Sequence, residues 1–357
     1  MKNFDLATYP MVAVWETTRT DAPFSGDIPP NREARELSAT EAEKLIRDVA
    51  EMRVPVFVFA GANPLTRPEI HSLVRYACSC GLRPSMVLSD SPLLTRKAIE
   101  ELKSSGLSRL GLTLQGSNAG LHEKLPAEEG SFARTIQAMR WANECRVPLQ
   151  VHTELCRANV DDLENMASLL KRFRVLSWSL SFPVPAERSQ AGEGFTADEF
   201  EKIFERIYDL AQSVPFKIKT VEADHYRRYV TQRRTLFRLD KSGAIDMPFR
   251  QEGIPGVLPL HEGRASVFIT STGEVFPNRH LPVSGGNICR EKLKEIYQHS
   301  HLFRALRDTA NLKGKCGRCE FKEMCGGSRA RAWALAGDMF AGDESCAYQP
   351  GLNCKAG

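Results

Sequence analysis

The sequence predicts an α/β chain followed by a small, cysteine-rich α+β extension, and three observations predict it. Short apolar, β-branched runs alternate with amphipathic helical segments through the first two-thirds of the 357 residues. A Gly- and Pro-rich stretch then breaks the pattern between Asp240 and Arg264. Beyond it, four of the ten cysteines gather at Cys316, Cys319, Cys325 and Cys346.

The predicted strands are Val12–Glu16, Pro55–Ala60, Ser85–Ser89, Arg109–Leu114, Leu149–Leu155 and Leu176–Phe182. Each is short and apolar, as a parallel strand covered on both faces should be. Between them, Ser38 and Glu41 form a capping box that opens a helix to about Met52. Pro68–Cys80 places Ile70, Leu73, Val74 and Ala77 on one face and stops at Gly81. Thr95–Ser104, Ser131–Cys145 and Val160–Phe173 repeat the pattern. Right-handed βαβ repetition makes a parallel sheet or a barrel, here with fewer units than a closed (β/α)8 barrel needs. Ala197–Ser213, capped by Thr196, is a further helix, and Phe216–Val221 a possible seventh strand. Residues 1–238 therefore read as the βα region, 239–264 as a linker and 265–357 as the extension. In the extension, Ala265–Pro277 predicts a hairpin turning at Gly273, followed by a helix at Glu291–Gln298.

The charge balance of +4 is too mild to argue for a nucleic-acid partner. The longest apolar run, Val54–Ala60 with Pro55 inside it, falls far short of the ~20 residues of a membrane span. The opening MKNFDLATYP carries an Asp and no apolar core, so a cytoplasmic protein is expected. In a reducing compartment, clustered thiols point to metal or redox chemistry rather than disulfides. The spacing C-x2-C-x5-C-x20-C offers four thiolates to Zn²⁺ or to a [4Fe–4S] cluster, and spacing alone does not choose. Gly326 and Gly327 let backbone approach a bulky inorganic core.

Ser271–Pro277 (STGEVFP), Gly286–Ile288 (GNI), Cys316–Asp338 and Cys346–Pro350 (CAYQP) together resemble radical SAM proteins with a C-terminal SPASM/twitch-type extension. The likeness covers nearly the whole chain and is nearest the branch with heme-biosynthesis and peptide-modifying members. It implies a partial (βα)6 barrel and one auxiliary [4Fe–4S] cluster on Cys316, Cys319, Cys325 and Cys346. A second auxiliary cluster is not expected, because Asn278 stands where other members hold a ligand.

Two positions depart from the family pattern. The family's CxxxCxxC loop after the first strand is here Thr20–Ile28, with Asp21, Ser25 and Ile28 at the cysteine positions. The family's Gly-Gly-Glu-Pro, which binds the amino group of S-adenosylmethionine (AdoMet), is here Gly61-Ala62-Asn63-Pro64. Losing that carboxylate costs roughly 1.5–3 kcal/mol, about ten- to a hundredfold in affinity. These departures lead to the expectation of a degenerate family member, a pseudoenzyme that has lost radical cleavage of AdoMet. It would act as an accessory, ligand-binding or electron-transfer protein, beside a catalytic partner or on a small anionic or peptide ligand. One alternative is an active radical SAM enzyme of the heme-biosynthesis or peptide-modifying type. Another is a binding or scaffold protein stabilised by Zn²⁺.

Further candidates come from residue types alone. Arg227 and Arg228, with Arg233, Arg234 and Arg238, could clamp carboxylates or phosphates, or form a solvated helix face. His152 and Glu154 share one face of a strand and could form an acid/base pair, the alternative being a satisfied core histidine. Asp90, Thr113, Gln115 and Gly116 end strands on the rim where barrel ligands bind.

Overall fold

The computed structural model describes residues 5–19, 34–125, 128–186, 192, 194–242 and 264–351. Its first part alternates β1 (Val12–Thr18), α1 (Ala39–Glu51), β2 (Val56–Gly61), α2 (Ile70–Ser79), β3 (Pro84–Leu88), α3 (Arg96–Ser104) and β4 (Arg109–Thr113). There follow α4 (Ala119–His122), α5 (Ser131–Glu144), β5 (Leu149–Glu154), α6 (Leu163–Leu170), β6 (Val175–Ser181), α7 (Ala197–Ser213), β7 (Lys217–Val221) and α8 (His225–Ser242). The extension adds β8 (Ser266–Ile269), β9 (Glu274–Phe276), β10 (Gly286–Asn287), α9 (Leu293–His299), α10 (His301–Arg307), α11 (Gly314–Gly317) and α12 (Arg329–Ala336). Most of the expected linker, residues 243–263, lies outside the described residues.

All strands join one sheet in the order β10-β9-β8-β1-β2-β3-β4-β5-β6-β7. β1 to β7 run parallel in chain order. β7 is thus a seventh parallel strand beyond the six units, and the sheet keeps two free ends, as a partial barrel must. The hairpin of the extension does not stand apart. β8 lies parallel beside β1, pairing Val12 with Ser266 and Val14 with Phe268, so the extension continues the barrel sheet.

Alternation sorts the side chains. Ala13, Trp15, Phe57, Phe59, Met86, Leu110, Leu149, Val151 and Trp178 are fully buried and form one core with Leu45, Ile46, Leu73, Met139, Leu163 and other helix residues. The intervening positions face the concave side, among them Glu16, Thr113, Gln150, His152, Glu154 and Ser179. Burying the apolar half against the helices fixes the register, because a one-residue slip would exchange the two sets. The Ser38–Glu41 and Thr196–Glu199 capping boxes both form, satisfying the first free N–H groups of α1 and α7.

The extension is locked on from two sides. Lys44 of α1 donates to Ile288 O at 3.0 Å, and Leu293 N donates to Asp48 Oδ2 at 3.3 Å. A second small core joins Val184, just past β6, to Leu281, Leu302, Leu306 and Ala330. No helix among the described residues is long and apolar enough to cross a membrane.

Candidate functional site

The four clustered cysteines line one pocket, together with Lys315, Lys322, Gly326, Gly327, His225 and Arg228. The single turn of α11 presents Cys316, and a tight turn brings Cys319 and Cys325 alongside. The chain then needs glycine twice. Gly326 and Gly327 have φ of +68° and +69°. A Cβ on Gly327 would lie 3.1 Å from Cys316 Sγ, 2.7 Å from Arg329 Nη2 and 2.8 Å from Asp343 Cβ. Ser328 caps α12, which carries the chain away and back to Cys346.

Asp343 ties this loop together. It is fully buried; its carboxylate accepts Ser328 N at 2.9 Å and Ser345 Oγ at 2.6 Å, with Arg331 Nη1 at 3.6 Å. Burial opposes its charge, but Arg331 and these hydrogen bonds prevail and hold its carboxyl below the usual range. Its own N–H points to Cys316 Sγ at 3.3 Å. The N–H groups of Phe321, Gly327 and Tyr348 likewise serve Cys319, Cys325 and Cys346. Burial pushes the thiols of Cys325, Cys346 and Cys319 up, so as free thiols they hold their protons. A bound metal centre displaces those protons, and the cations Arg228 (Nη2 3.8 Å from Cys346 Sγ) and Arg329 (Nη2 3.9 Å from Cys316 Sγ) offset the thiolate charge. Among the described residues no three His, Cys, Asp or Glu groups meet at single-ion distance. The sulfurs stand around the pocket, an arrangement that fits a polynuclear iron–sulfur core.

Arg227 and Arg228 need correcting. They face this loop and are not clamps at the barrel mouth. Arg228 pairs with Glu201 (Nη1 to Oε2 3.0 Å) and reaches Gln232 at 2.8 Å, and Arg227 lies 3.5 Å from Asp224 and 3.4 Å from Met324 O. Both are buried because α8 packs its basic face against the cysteine loop. His225, two residues before Arg227, carries no spacing signal. It is fully buried against Phe200 and Phe204, whose ring centroids each lie 4.8 Å from its own. Burial drives its pKa down to about 3, so the ring is neutral. Only the tertiary fold brings it to the cysteines, and no sequence signal could have found it.

His152 sits on the concave face, opposite Thr113 on β4 and Ser179 on β6. Its Nε2 is buried with no hydrogen-bond partner among the described residues, and burial with the nearby Lys219 lowers its pKa to about 4. Room for the ring exists because residue 111 is glycine: a Cβ there would lie 2.8 Å from Nε2. Glu154 is held through its backbone, N to Gln115 Oε1 at 2.9 Å and O from Asn159 Nδ2 at 2.8 Å. Gln115 also donates its N–H to His122 Nδ1 at 3.1 Å. Asp90 is engaged by Arg134, whose Nε lies 3.0 and 2.8 Å from the two carboxylate oxygens.

At the C-terminal end of β2, Gly61 has φ +123°, and a Cβ there would meet Thr18 O at 2.6 Å. Ala62 follows, and Asn63 caps the single 3-10 turn at Pro64, accepting Leu65 N at 3.2 Å. Asn63 also donates to Ser91 Oγ at 2.9 Å and takes Thr18 Oγ1 at 3.4 Å through its N–H. The turn therefore joins the ends of β1, β2 and β3 on the ligand-binding rim. Asp21, Ser25 and Ile28 lie outside the described residues. No cysteine precedes Cys78, and Cys78 and Cys80 end α2 at the opposite rim, with Cys78 Sγ 3.2 Å from Gly106 O. The chain's thiols do not fit a three-cysteine cluster beside β1.

Residues 16–170 match the radical SAM superfamily, and residues 261–320 match an iron–sulfur cluster-binding domain, SPASM. An AdoMet-dependent heme synthase of Methanosarcina barkeri is 31% identical over 319 residues, 89% of this chain and 89% of the relative. A PqqA peptide cyclase of Rhodopseudomonas palustris is 27% identical over 89% of this chain and 81% of its own length. Among solved structures, Streptococcus suis SuiB bound to S-adenosylmethionine superposes with a TM-score of 0.70 at 14% identity, over 96% of this chain and 78% of that one, and so shares the fold. These relatives overturn the expectation of an accessory pseudoenzyme with little use for AdoMet: proteins similar along nearly the whole chain are named as AdoMet-dependent or peptide-cyclising enzymes.

Proposed function

Because the chain belongs to the radical SAM superfamily, in the branch with a C-terminal SPASM domain, we propose that it is an AdoMet-dependent enzyme of the heme-synthase and peptide-cyclase group. The observation that carries this reading is the end-to-end similarity to the M. barkeri heme synthase, across barrel and extension alike. In this reading the turn Gly61–Pro64 receives AdoMet at the barrel rim. Cys316, Cys319, Cys325 and Cys346 hold one [4Fe–4S] cluster, which when bound supplies one-electron chemistry. The match of residues 261–320 to an iron–sulfur cluster-binding domain supports that cluster over a single zinc. The residues at the usual positions for a cluster beside β1 are not cysteines, so the reading rests on AdoMet use in the barrel and on the second centre.

The concave face supports a substrate that is anionic, a carboxylate-bearing tetrapyrrole or a peptide. Row by row it offers Gln150 and Ser177, then Thr113, His152, Ser179 and Lys219. His152 is neutral near pH 7 and positioned to exchange a hydrogen bond, while Lys219 supplies charge. A thiol-rich chain with an iron–sulfur centre suits a reducing cytoplasm.

The test is anaerobic reconstitution followed by metal analysis and AdoMet-binding calorimetry. The proposal expects about four irons with matching sulfide per chain and saturable AdoMet binding that Gly61→Ala abolishes. One zinc, no iron and no AdoMet binding would overturn it.

A further inference from the structure

His225 brings to the cysteine pocket a buried ring donor for which no acceptor is found among the described residues. Its imidazole is fully buried, lines the pocket beside Cys316, Cys325 and Cys346, and has both ring nitrogens without a hydrogen-bond partner among the described residues. Asp343 Oδ2 stands 4.0 Å from Nδ1, beyond hydrogen-bond reach, and is already taken by Ser328 N. Phe200 and Phe204 pack against the ring and offer no acceptor. A buried N–H is rarely left unpaired, because burial removes its water partners without replacing them. The pocket is where a partner can arrive.

Several other polar groups at the pocket are already assigned, while Arg228 Nε, like the His225 ring, is buried without a partner among the described residues. The N–H groups of Asp343, Phe321, Gly327 and Tyr348 serve the four cysteine sulfurs, and Arg228 is committed to Glu201 and Gln232. What remains for His225 is the inorganic core that those cysteines would hold.

We propose that His225 donates a ring N–H to a sulfur of the iron–sulfur core bound by Cys316, Cys319, Cys325 and Cys346, and so sets its reduction potential. The inference rests on the cluster reading above. His225 is a positioning residue here, since it acts on the cluster and not on substrate. When the core accepts one electron, the added negative charge spreads over its sulfurs, and a donor aimed at them stabilises the reduced form. The two phenylalanines keep the ring dry and fixed, which strengthens such a bond.

The test uses the full reconstituted chain, with EPR-monitored potentiometric titration of wild type, His225→Phe and His225→Gln. Histidine-selective ¹⁵N labelling with pulsed EPR on the reduced cluster accompanies it. The expected result is a more negative midpoint potential in His225→Phe at unchanged iron content, with partial return in His225→Gln, whose amide keeps an N–H. A histidine ¹⁵N coupling should be present in wild type and absent in His225→Phe. A merely structural role would lower iron content without moving the potential of the clusters that remain. If His225→Phe does not hold iron, His225→Gln and the wild-type coupling decide alone. Unchanged potentials, or a wild-type cluster with no histidine coupling, would overturn the inference while leaving the cluster reading intact. A wild-type chain that takes up no iron would overturn both, and the wild type alone would reveal it.

Discussion

The backbone N–H of Asp343 points to Cys316 Sγ at 3.3 Å across a separation of 27 residues. The carboxylate of the same residue accepts Ser328 N and lies 3.6 Å from Arg331. One buried aspartate thus closes the loop between the third and fourth cysteines and offers a donor to the first. These ties across the cysteine loop make its glycines testable.

Gly327→Ala should remove the metal centre. The residue has φ +69°, and its new methyl would press on Cys316 Sγ, Arg329 Nη2 and Asp343 Cβ. Gly337→Ala is the matched control: φ is +67°, but nothing lies within 4 Å of the added Cβ. The control should lose only the backbone term, about 1–2 kcal/mol in thermal or urea unfolding, and keep its iron. Equal iron in the two variants would refute the cradle.

Individual replacement of Cys316, Cys319, Cys325 or Cys346 by alanine should abolish the visible absorbance of the reconstituted protein. Cys289→Ala, at an exposed thiol near Glu41, should leave it unchanged. Retention of full iron by any of the four single variants would remove that residue from the ligand set.

His152 should make stability fall in mild acid. Its folded pKa of about 4 lies below the ordinary 6.5, so the unfolded chain binds the proton more readily. Its contribution is complete above pH 6.5 and is lost as pH falls toward 4, at up to about 1.4 kcal/mol per unit and roughly 3–4 kcal/mol in all. Urea unfolding of His152→Gln between pH 7 and pH 5 should show a flatter dependence than wild type. Parallel curves would mean that the ring titrates normally.

Asn63→Glu should tighten AdoMet binding. The substitution returns a carboxylate to the rim, and a charge-assisted hydrogen bond to an ammonium gives roughly 1.5–3 kcal/mol, about ten- to a hundredfold. Loss of the Asn63–Ser91 hydrogen bond offsets a small part of the gain. Calorimetry with AdoMet reads the change directly, and weaker binding would place the amino group of AdoMet elsewhere.

The parts of the fold that local chemistry determines could be read directly. Ser38 with Glu41 and Thr196 with Glu199 mark two helix starts, and both capping boxes form. The alternation around Trp15, Phe57, Phe59 and Trp178 marks strands with one buried face. The CxxC spacing and paired glycines mark the loop whose cysteines the structure gathers in one pocket, because three of them lie close in sequence. Long-range placement was not legible. Val14 meets Phe268 across the sheet, and no periodicity relates two strands so far apart in the chain. Arg228 looked like a surface cation because its partner Glu201 sits on another helix. His225 carried no spacing signal, since its neighbours at the pocket come from a different part of the chain. The functional expectation went astray for a related reason: it weighed the altered loop after β1 and the missing Glu at Asn63 above the likeness of the whole chain.

The most direct test is anaerobic incubation of the reconstituted full chain with AdoMet, a strong one-electron reductant and an iron-tetrapyrrole carboxylate or a peptide, followed by mass spectrometry. An AdoMet-dependent enzyme predicts AdoMet consumption in proportion to a modified substrate, with both lost in Gly61→Ala. Intact AdoMet and unmodified substrate, from protein that carries its irons and binds AdoMet, would contradict it.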